Sequence, residues 1–364
     1  MNRRLKQLVQ WMRDEDISAT FITSTENVFY LSGFHSDPHE RLLGLAVFQD
    51  AEPFLICPAM EVEDAKKSGW KYEIIGYSDI DHPWELVQQS VEKRTSEINA
   101  WAIEKEHLNV ERYEEFLARY GKSRFYTAEE KLRKLRMIKD AHEMKEIRIA
   151  CELADFAMEV GVNEIAEGKT ELDIVAAIEY EVKKKGASMS FATTVLAGKN
   201  AASPHGVPGL TSIQKGNFVL FDLGVLYKGY CSDITRTVAF GDINAEQQRI
   251  YETVLQAQEA AVNAVRPGIM AKELDLTARR IITDAGYGSY FTHRLGHGLG
   301  ISVHEYPSIT EENELEMQEG MVFTIEPGIY VPEVAGVRIE DDIYVTKAGG
   351  EILNRFPKTL QFIS

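Results

Sequence analysis

The sequence predicts an α+β chain in two parts: a smaller α/β N-terminal domain, then a larger domain made of two similar halves. Three observations carry this. Residues 1–125 alternate short apolar runs with helix-like segments. The pattern changes after the basic stretch Lys131–Lys139. Beyond it, one order of two helices followed by strands can be read twice.

The first element is an amphipathic helix within Met1–Ile17. Leu5, Leu8, Val9 and Met12 recur at helical spacing, and no apolar signal core accompanies them. Ala19–Ile22, Leu45–Phe48, Pro53–Cys57 and Trp101–Ile103 read as strands, and Trp84–Lys93 and Val110–Tyr120 as helices. Gly33–Arg41 reads as a loop, because Pro38 biases Asp37 away from helix. The expected boundaries are a domain over 1–125, a linker over 126–138 and a second domain over 139–364.

In the second domain, Asp140 and Glu143 form a capping pair for a long helix ending near Gly168. Thr170 opens a second helix that stops at Gly186. Strand-like segments follow at Phe191–Leu196, Phe218–Leu223 and Cys231–Phe240. The order then repeats. Asn244 with Gln247 opens a helix to about Val265, Pro267-Gly268 breaks it, and Lys272–Ala285 follows. Strands are expected near Phe291–Leu295, Met321–Glu326 and Val337–Val345. Glu171-Leu172-Asp173 and Glu273-Leu274-Asp275 hold the same place in the two halves. This predicts two α+β halves about an approximate two-fold axis, with a site between them.

Composition narrows the function. With 44% hydrophobic and 27% charged residues, the 364-residue chain can bury a core, which excludes global disorder. A net charge of −17 argues against nucleic acid as a partner. No stretch approaches the ~20 apolar residues of a membrane span. Three scattered cysteines (Cys57, Cys151, Cys231) suit neither a disulfide framework nor a Cys-based zinc site, so a reduced, cytoplasmic protein is expected.

The chemistry lies in carboxylates placed where strands want apolar residues. Asp222 interrupts Phe218-Val-Leu-Phe-Asp-Leu223, and Asp233 begins the return strand. A turn about Tyr227/Lys228 would set Asp222 opposite Asp233. A connection centred near Glu333 would set Glu326 opposite Glu340. Each close pair would cost about 4 kcal/mol at an effective dielectric near 20. Divalent metal is the simplest source of compensation. Thr292-His-Arg-Leu-Gly-His-Gly-Leu-Gly-Ile-Ser-Val-His304 supplies His293, His297 and His304, and His205 sits in Ser203-Pro-His-Gly206. Nitrogen with oxygen donors suits Mn²⁺, Co²⁺ or Zn²⁺. Two such ions would acidify water and polarise a carbonyl, the equipment for amide hydrolysis.

These residues resemble the pita-bread metallopeptidases, and specifically the bacterial Xaa-Pro dipeptidases (prolidases). The carrying segments are Ala197–His205, Leu220–Gly224, Ser232–Thr237, His293–Gly300, Thr324–Tyr330 and Gly336–Asp341. The resemblance implies a creatinase-type N-terminal domain before a pita-bread catalytic domain. It implies two divalent ions per subunit, with Mn²⁺ expected and Co²⁺ or Zn²⁺ as alternatives. Asp222 would bind one metal, His297 and Glu326 the other, and Asp233 and Glu340 would bridge them. Glu326 would also shuttle a proton, and His304 would hold the scissile carbonyl. His205 and His293 would line the substrate pocket, and Arg338 would orient the metal-ligand shell or the substrate. The implied reaction is hydrolysis of Xaa-Pro dipeptides by a metal-bridging hydroxide. An aminopeptidase P-like enzyme acting on longer peptides and an inactive binding protein on the same fold are the alternatives. A homodimer is expected, with the loop His35–Arg41 near the partner's active site and the N-terminal domain roofing the pocket.

Overall fold

A computed structural model describes all 364 residues. The chain divides into two compact units, Met1–Arg136 and Met137–Ser364. No helix is long and apolar enough to cross a membrane.

The first unit runs α1 (Arg3–Asp14), β1 (Ala19–Ile22), α2 (Thr25–Ser32), β2 (Gly44–Phe48), β3 (Phe54–Pro58), α3 (Val62–Lys67), β4 (Glu73–Tyr77), α4 (Pro83–Glu92), β5 (Ala100–Ile103), α5 (Val110–Tyr120), β6 (Arg124–Thr127) and α6 (Glu129–Met137). The strands form one mixed sheet in the order β4-β3-β2-β1-β5-β6. Phe21, Phe54, Trp84, Trp101 and Phe116 fill its core. Of residues 126–138, expected as a linker, 126–136 instead complete this unit. Strand β6 pairs in parallel with β5, and Ala128 and Leu132 are buried. The basic residues of that stretch cover the solvent side of α6 and mask its apolar side. The loop after α2 is tied down within the unit: Arg41 pairs with Asp79, and Arg112 donates to the carbonyls of Glu40 and Arg41.

The second unit contains the duplication. Its first half has α7 (Ala141–Asn163), α8 (Glu171–Lys184), β7 (Ser188–Met189), β8 (Thr194–Ala197), β9 (Asn217–Leu223), β10 (Val225–Tyr227), β11 (Tyr230–Cys231) and β12 (Ile234–Phe240). The second has α9 (Ala245–Ala264), α10 (Ala271–Asp284), β13 (Gly296–Gly298), β14 (Glu305–Ile309), β15 (Val322–Ile325), β16 (Gly328–Val331), β17 (Ala335–Arg338), β18 (Asp341–Thr346) and β19 (Gly349–Ile352), with β20 (Phe362–Ile363) closing the chain. The sheets run β20-β12-β9-β8 and β14-β13-β15-β18-β19. Val219, Phe221 and Val238 build the core with the first helix pair, and Phe323, Ile325 and Ile343 with the second. Asp140, Thr170 and Asn244 cap their helices with their side chains. The strand expected near Phe291–Leu295 begins only at Gly296, after a 3₁₀ turn over Gly288–Tyr290.

Two details of register differ from the sequence reading. Lys228 and Gly229 both have positive φ, 47° and 84°, as a type I′ hairpin turn requires. The turn therefore centres one residue later than expected, and Asp222 pairs with Thr235 rather than Asp233. Asp233 stays on the same face, two residues along. The Glu-Leu-Asp tripeptides are also out of step. Their helices start at Glu171 and Ala271, so Glu171 is the first helical residue of α8 and Glu273 the third of α10. The other hairpin agrees with expectation: Ile325 opposes Asp341 and Gly328 opposes Arg338, which brackets Glu326 and Glu340.

Strand β17 passes the turn after β8 so closely that a Cβ at Gly336 would lie 1.7 Å from the Ala201 carbonyl oxygen. Gly336→Ala should force these backbones apart and cost about 1–3 kcal/mol. Thermal unfolding should show a Tm lower by several degrees; an unchanged Tm would refute the close packing.

Candidate metal centre and substrate cavity

Strand ends and one glycine-rich strand bring the chemistry together. Asp222 comes from β9, Asp233 from the residue before β12, His297 from β13, Glu326 from the end of β15, and Glu340 from between β17 and β18. With His205, His293, His304 and Arg338, they line one cavity of about 490 Å³. Every site residue expected from sequence therefore reaches the same place.

Three of the five expected ligands are closely clustered: donor atoms of Asp233, His297 and Glu340 all lie within 4.8 Å of one another. His297 donates from Nδ1 to the Gly298 carbonyl, 3.1 Å away, which leaves Nε2 aimed at the carboxylates. That atom lies 3.3 Å from Glu326 Oε1 and 3.7 Å from Asp233 Oδ2. Gly296 permits the approach, since a Cβ there would lie 1.9 Å from the Thr324 carbonyl oxygen.

Asp233 and Glu340 are 5% and 2% exposed, and Asp233 Oδ1 and Glu340 Oε1 have no hydrogen-bond partner. Orphaned buried carboxylate oxygens beside a neutral imidazole are what a divalent cation would complete, so these residues fit a metal site. Electrostatics agree. Burial, reinforced by neighbouring carboxylates, raises the Asp233 and Glu340 carboxyls well above the usual range. Burial pushes Glu326 up to about 7, against the pull of Arg338. Burial, with His304 nearby, pushes His297 down to about 3, which keeps it in the ligand form.

Around these groups lies a layer that the sequence reading partly missed. Arg338 pairs with Asp222, donates to Thr235 Oγ1 at 3.1 Å and donates to the Tyr330 hydroxyl at 2.6 Å. Thr235 in turn donates to Glu340 Oε2 at 2.6 Å. Arg338 thus joins Asp222, Thr235 and Tyr330 through three side-chain contacts. The Tyr330 hydroxyl also meets His293 Nε2 at 3.0 Å, while His293 Nδ1 meets the Arg294 carbonyl at 2.8 Å. Both ring nitrogens of His293 are therefore occupied by protein, and burial holds its pKa down to about 4. Tyr330 was legible in principle: residues 326, 328 and 330 alternate onto one face. Thr235 followed only from the corrected register.

Arg294 is the more consequential omission. It lines the cavity, donates to Ser308 Oγ at 3.1 Å and forms no ion pair, although its charge helps to hold the Glu326 carboxyl down. Its only sequence signal is a cation inside a histidine- and glycine-rich strand segment. Phe191, Val303 and Pro204 give the same cavity an apolar wall.

Comparison with known proteins gives likeness along the whole chain. The model of metallopeptidase family M24 matches residues 145–347, and that of the creatinase/prolidase N-terminal domain matches residues 4–138. An Xaa-Pro dipeptidase from Lactobacillus helveticus is 46% identical over 362 residues, 99% of this chain and 98% of that protein. The structure of a prolidase from Pyrococcus horikoshii is similar, with 38% identity, TM-score 0.91 and coverage of 99% of this chain and 100% of that one. An X-Pro aminopeptidase from Thermotoga maritima is also similar, with 30% identity, TM-score 0.89 and coverage of 99% and 100%. A buried cluster of carboxylates and imidazole, a duplicated α+β scaffold and full-length likeness to these enzymes lead to one conclusion: the chain belongs to metallopeptidase family M24.

Proposed function

We propose that this chain is an Xaa-Pro dipeptidase that uses two divalent ions, with Mn²⁺ the expected pair. The observation that carries the proposal is one cavity lined both by the five expected donors and by Arg294, whose guanidinium donates to Ser308 but forms no ion pair. Asp222, Asp233, His297, Glu326 and Glu340 would hold the metals, which when bound supply Lewis-acid polarisation of the carbonyl and an acidified water.

The chain's own residues do the rest. Glu326, which lines the cavity, would take a proton from the attacking water and pass it to the proline nitrogen. His304, with its ring centroid 4.2 Å from that of His297, is placed to steady the developing negative charge on the carbonyl oxygen. His205 faces the cavity from the other half. Arg294 would take the substrate's terminal carboxylate. Arg338 is committed to Asp222 and Arg41 to Asp79. A prolyl amide lacks the N–H that extended-backbone peptidases grip, whereas this arrangement needs only a carbonyl and a rigid ring. The likeness to an X-Pro aminopeptidase keeps action on longer peptides as the second reading. The three free cysteines support a reducing cytoplasm. We also propose a homodimer in which the exposed Asp37 and His39 of the His35–Arg41 loop reach the partner's site. Sedimentation as an active monomer would remove that part.

Metal removal is the first test. Chelation should abolish hydrolysis of Leu-Pro, and a divalent transition metal should restore it. The pH dependence has a definite sign. Between pH 6.5 and 8, the folded histidines with lowered pKa are neutral, and the unfolded ones, half protonated at pH 6.5, lose only that remaining half proton. The raised carboxyls dominate the balance, so the metal-free protein loses stability as pH rises through about 7. Metal displaces those protons, so the Tm gained on adding Mn²⁺ should be larger at pH 8 than at pH 6.5. An equal or smaller gain would count against the cluster as the metal site.

Substrate recognition gives two more. Leu-Pro should exceed Leu-Pro-Ala in kcat/KM by roughly a hundredfold, because a third residue displaces the carboxylate from Arg294. Comparable values would favour the aminopeptidase reading. Arg294→Met should cost about 2 kcal/mol, roughly thirtyfold in kcat/KM for Leu-Pro, and little for Leu-prolinamide. An equal loss on both substrates would show that Arg294 does not read the carboxylate.

A further inference from the structure

Two buried carboxylates stand outside the metal cluster and take no part in the chemistry above. Glu171 and Asp275 are fully shielded from solvent, and both lie in the paired Glu-Leu-Asp tripeptides. The tripeptides split into two kinds of residue. Asp173 and Glu273 are the third residues of their helices, and each accepts the backbone N–H before its helix, from Thr170 at 2.8 Å and Met270 at 2.9 Å. They are equivalent helix caps. Glu171 and Asp275 are the first and fifth residues of their helices, on one helical face. Their work is elsewhere.

Glu171 closes the base of the loop after β8. One of its oxygens accepts from Ala197 N at 2.8 Å and Asn200 Nδ2 at 3.0 Å; the other accepts from Gly209 N at 2.8 Å. Between those amides hang Pro204, His205 and Gly206, all lining the cavity. Asp275 accepts from Leu295 N at 3.0 Å and pairs with Arg279, Nε to Oδ1 at 2.6 Å. Arg279 also donates to the carbonyls of Phe291 at 3.2 Å and His293 at 3.0 Å. The segment so held presents His293 and Arg294 to the cavity.

Strand β8 lies beside β9 as β13 lies beside β15, so the two strands match in the duplication. Glu171 grips the trailing end of its strand, whereas Asp275 grips the stretch ahead of its own. In each case the end so held carries residues that line the cavity, Pro204–Gly206 in one and His293–Arg294 in the other.

We propose that Glu171 and Asp275 are positioning residues for substrate, each fixing one recognition loop of the cavity independently of the metals; this rests on the dipeptidase reading above. Glu171→Gln and Asp275→Asn keep shape and remove one charged acceptor. Each should raise KM for Leu-Pro about tenfold, the order set by one buried charge-assisted hydrogen bond, with kcat within about threefold of wild type. Mn²⁺ affinity by calorimetry should not change. Hydrogen exchange without substrate should accelerate by about tenfold over 198–209 in the first variant and over 291–295 in the second, with no crossover. Should either variant fail to fold, Asn200→Ala and Arg279→Gln remove the outer contacts of the same two staples and should move KM and exchange in the same directions. Lowered Mn²⁺ affinity, a loss in kcat alone, or wild-type kinetics with only a lower Tm would each overturn the proposal. Wild-type turnover of Leu-Pro is measured first. Its absence would sink the dipeptidase reading, and the loop-fixing role would then be decided by the exchange pattern.

Discussion

The constraint on which everything else depends is electrostatic. Asp233 and Glu340 carry carboxyl oxygens that are shielded from water and unpartnered, beside Glu326 and Asp222. Desolvation and mutual repulsion both oppose ionisation there, which is why burial heads the causes of each raised pKa. A chain folds around such a cluster only if the surrounding structure fixes the groups so firmly that they cannot separate. That arrangement is also the one a divalent cation stabilises most. The metal centre is thus a place where folding tolerates a cost that binding recovers.

The fixing is done from behind the ligands. Arg236, buried next to Thr235, donates to the carbonyls of Thr235 and Phe356 and pairs with Asp341 at 2.6 Å. Asp341 also takes Lys358 at 2.8 Å and Gln258 at 2.9 Å. The next residue, Asp342, accepts from Asp233 N at 2.9 Å and Cys151 Sγ at 3.3 Å. So Glu340 lines the cavity, while its two successors bind the segments that carry Asp233 and the C-terminal stretch. A buried ion pair of this kind adds little net stability, but removing one partner leaves a stranded charge. Its value here is in geometry. The Thr235 carbonyl accepts from Glu340 N at 3.1 Å, which joins the first half of the duplication to the second at the cluster itself.

The duplication explains how one fold motif yields an uneven site. Both halves place an acidic residue near the end of a central strand and another at the start of its return. The first uses a two-residue turn and the second a loop around Glu333, whose φ is 62°. Only the second half adds imidazoles from a glycine-rich strand, and only there does a guanidinium remain uncommitted. In the apolar wall, Phe191 and Pro204 come from the first half and Val303 from the second. The carboxylates and the apolar wall draw on both halves, whereas Arg294 comes from the second alone.

Much of this was legible in the sequence because its signals are local. Carboxylates inside apolar runs, histidines among glycines, capping pairs before helices and helix breaks at Pro267-Gly268 and Gly286 all act within a few residues. Local chemistry fixes the elements and marks out the ligands. What the sequence left open depends on contacts between distant segments. The Asp222 register turned on whether Lys228 would join Gly229 at positive φ, a one-residue choice that moves every partner by two. The helix over 129–137 was hidden because its apolar face shows only against the unit it packs on. Arg338 and Arg294 look alike as cations in sequence; tertiary structure commits one to Asp222 and leaves the other facing the cavity. The matching tripeptides pointed to a true repeat through a false equivalence, since only the folded chain reveals which acid caps a helix and which holds a loop. A side chain's type is a property of the sequence, but whether its charge is paired is a property of what the fold brings beside it.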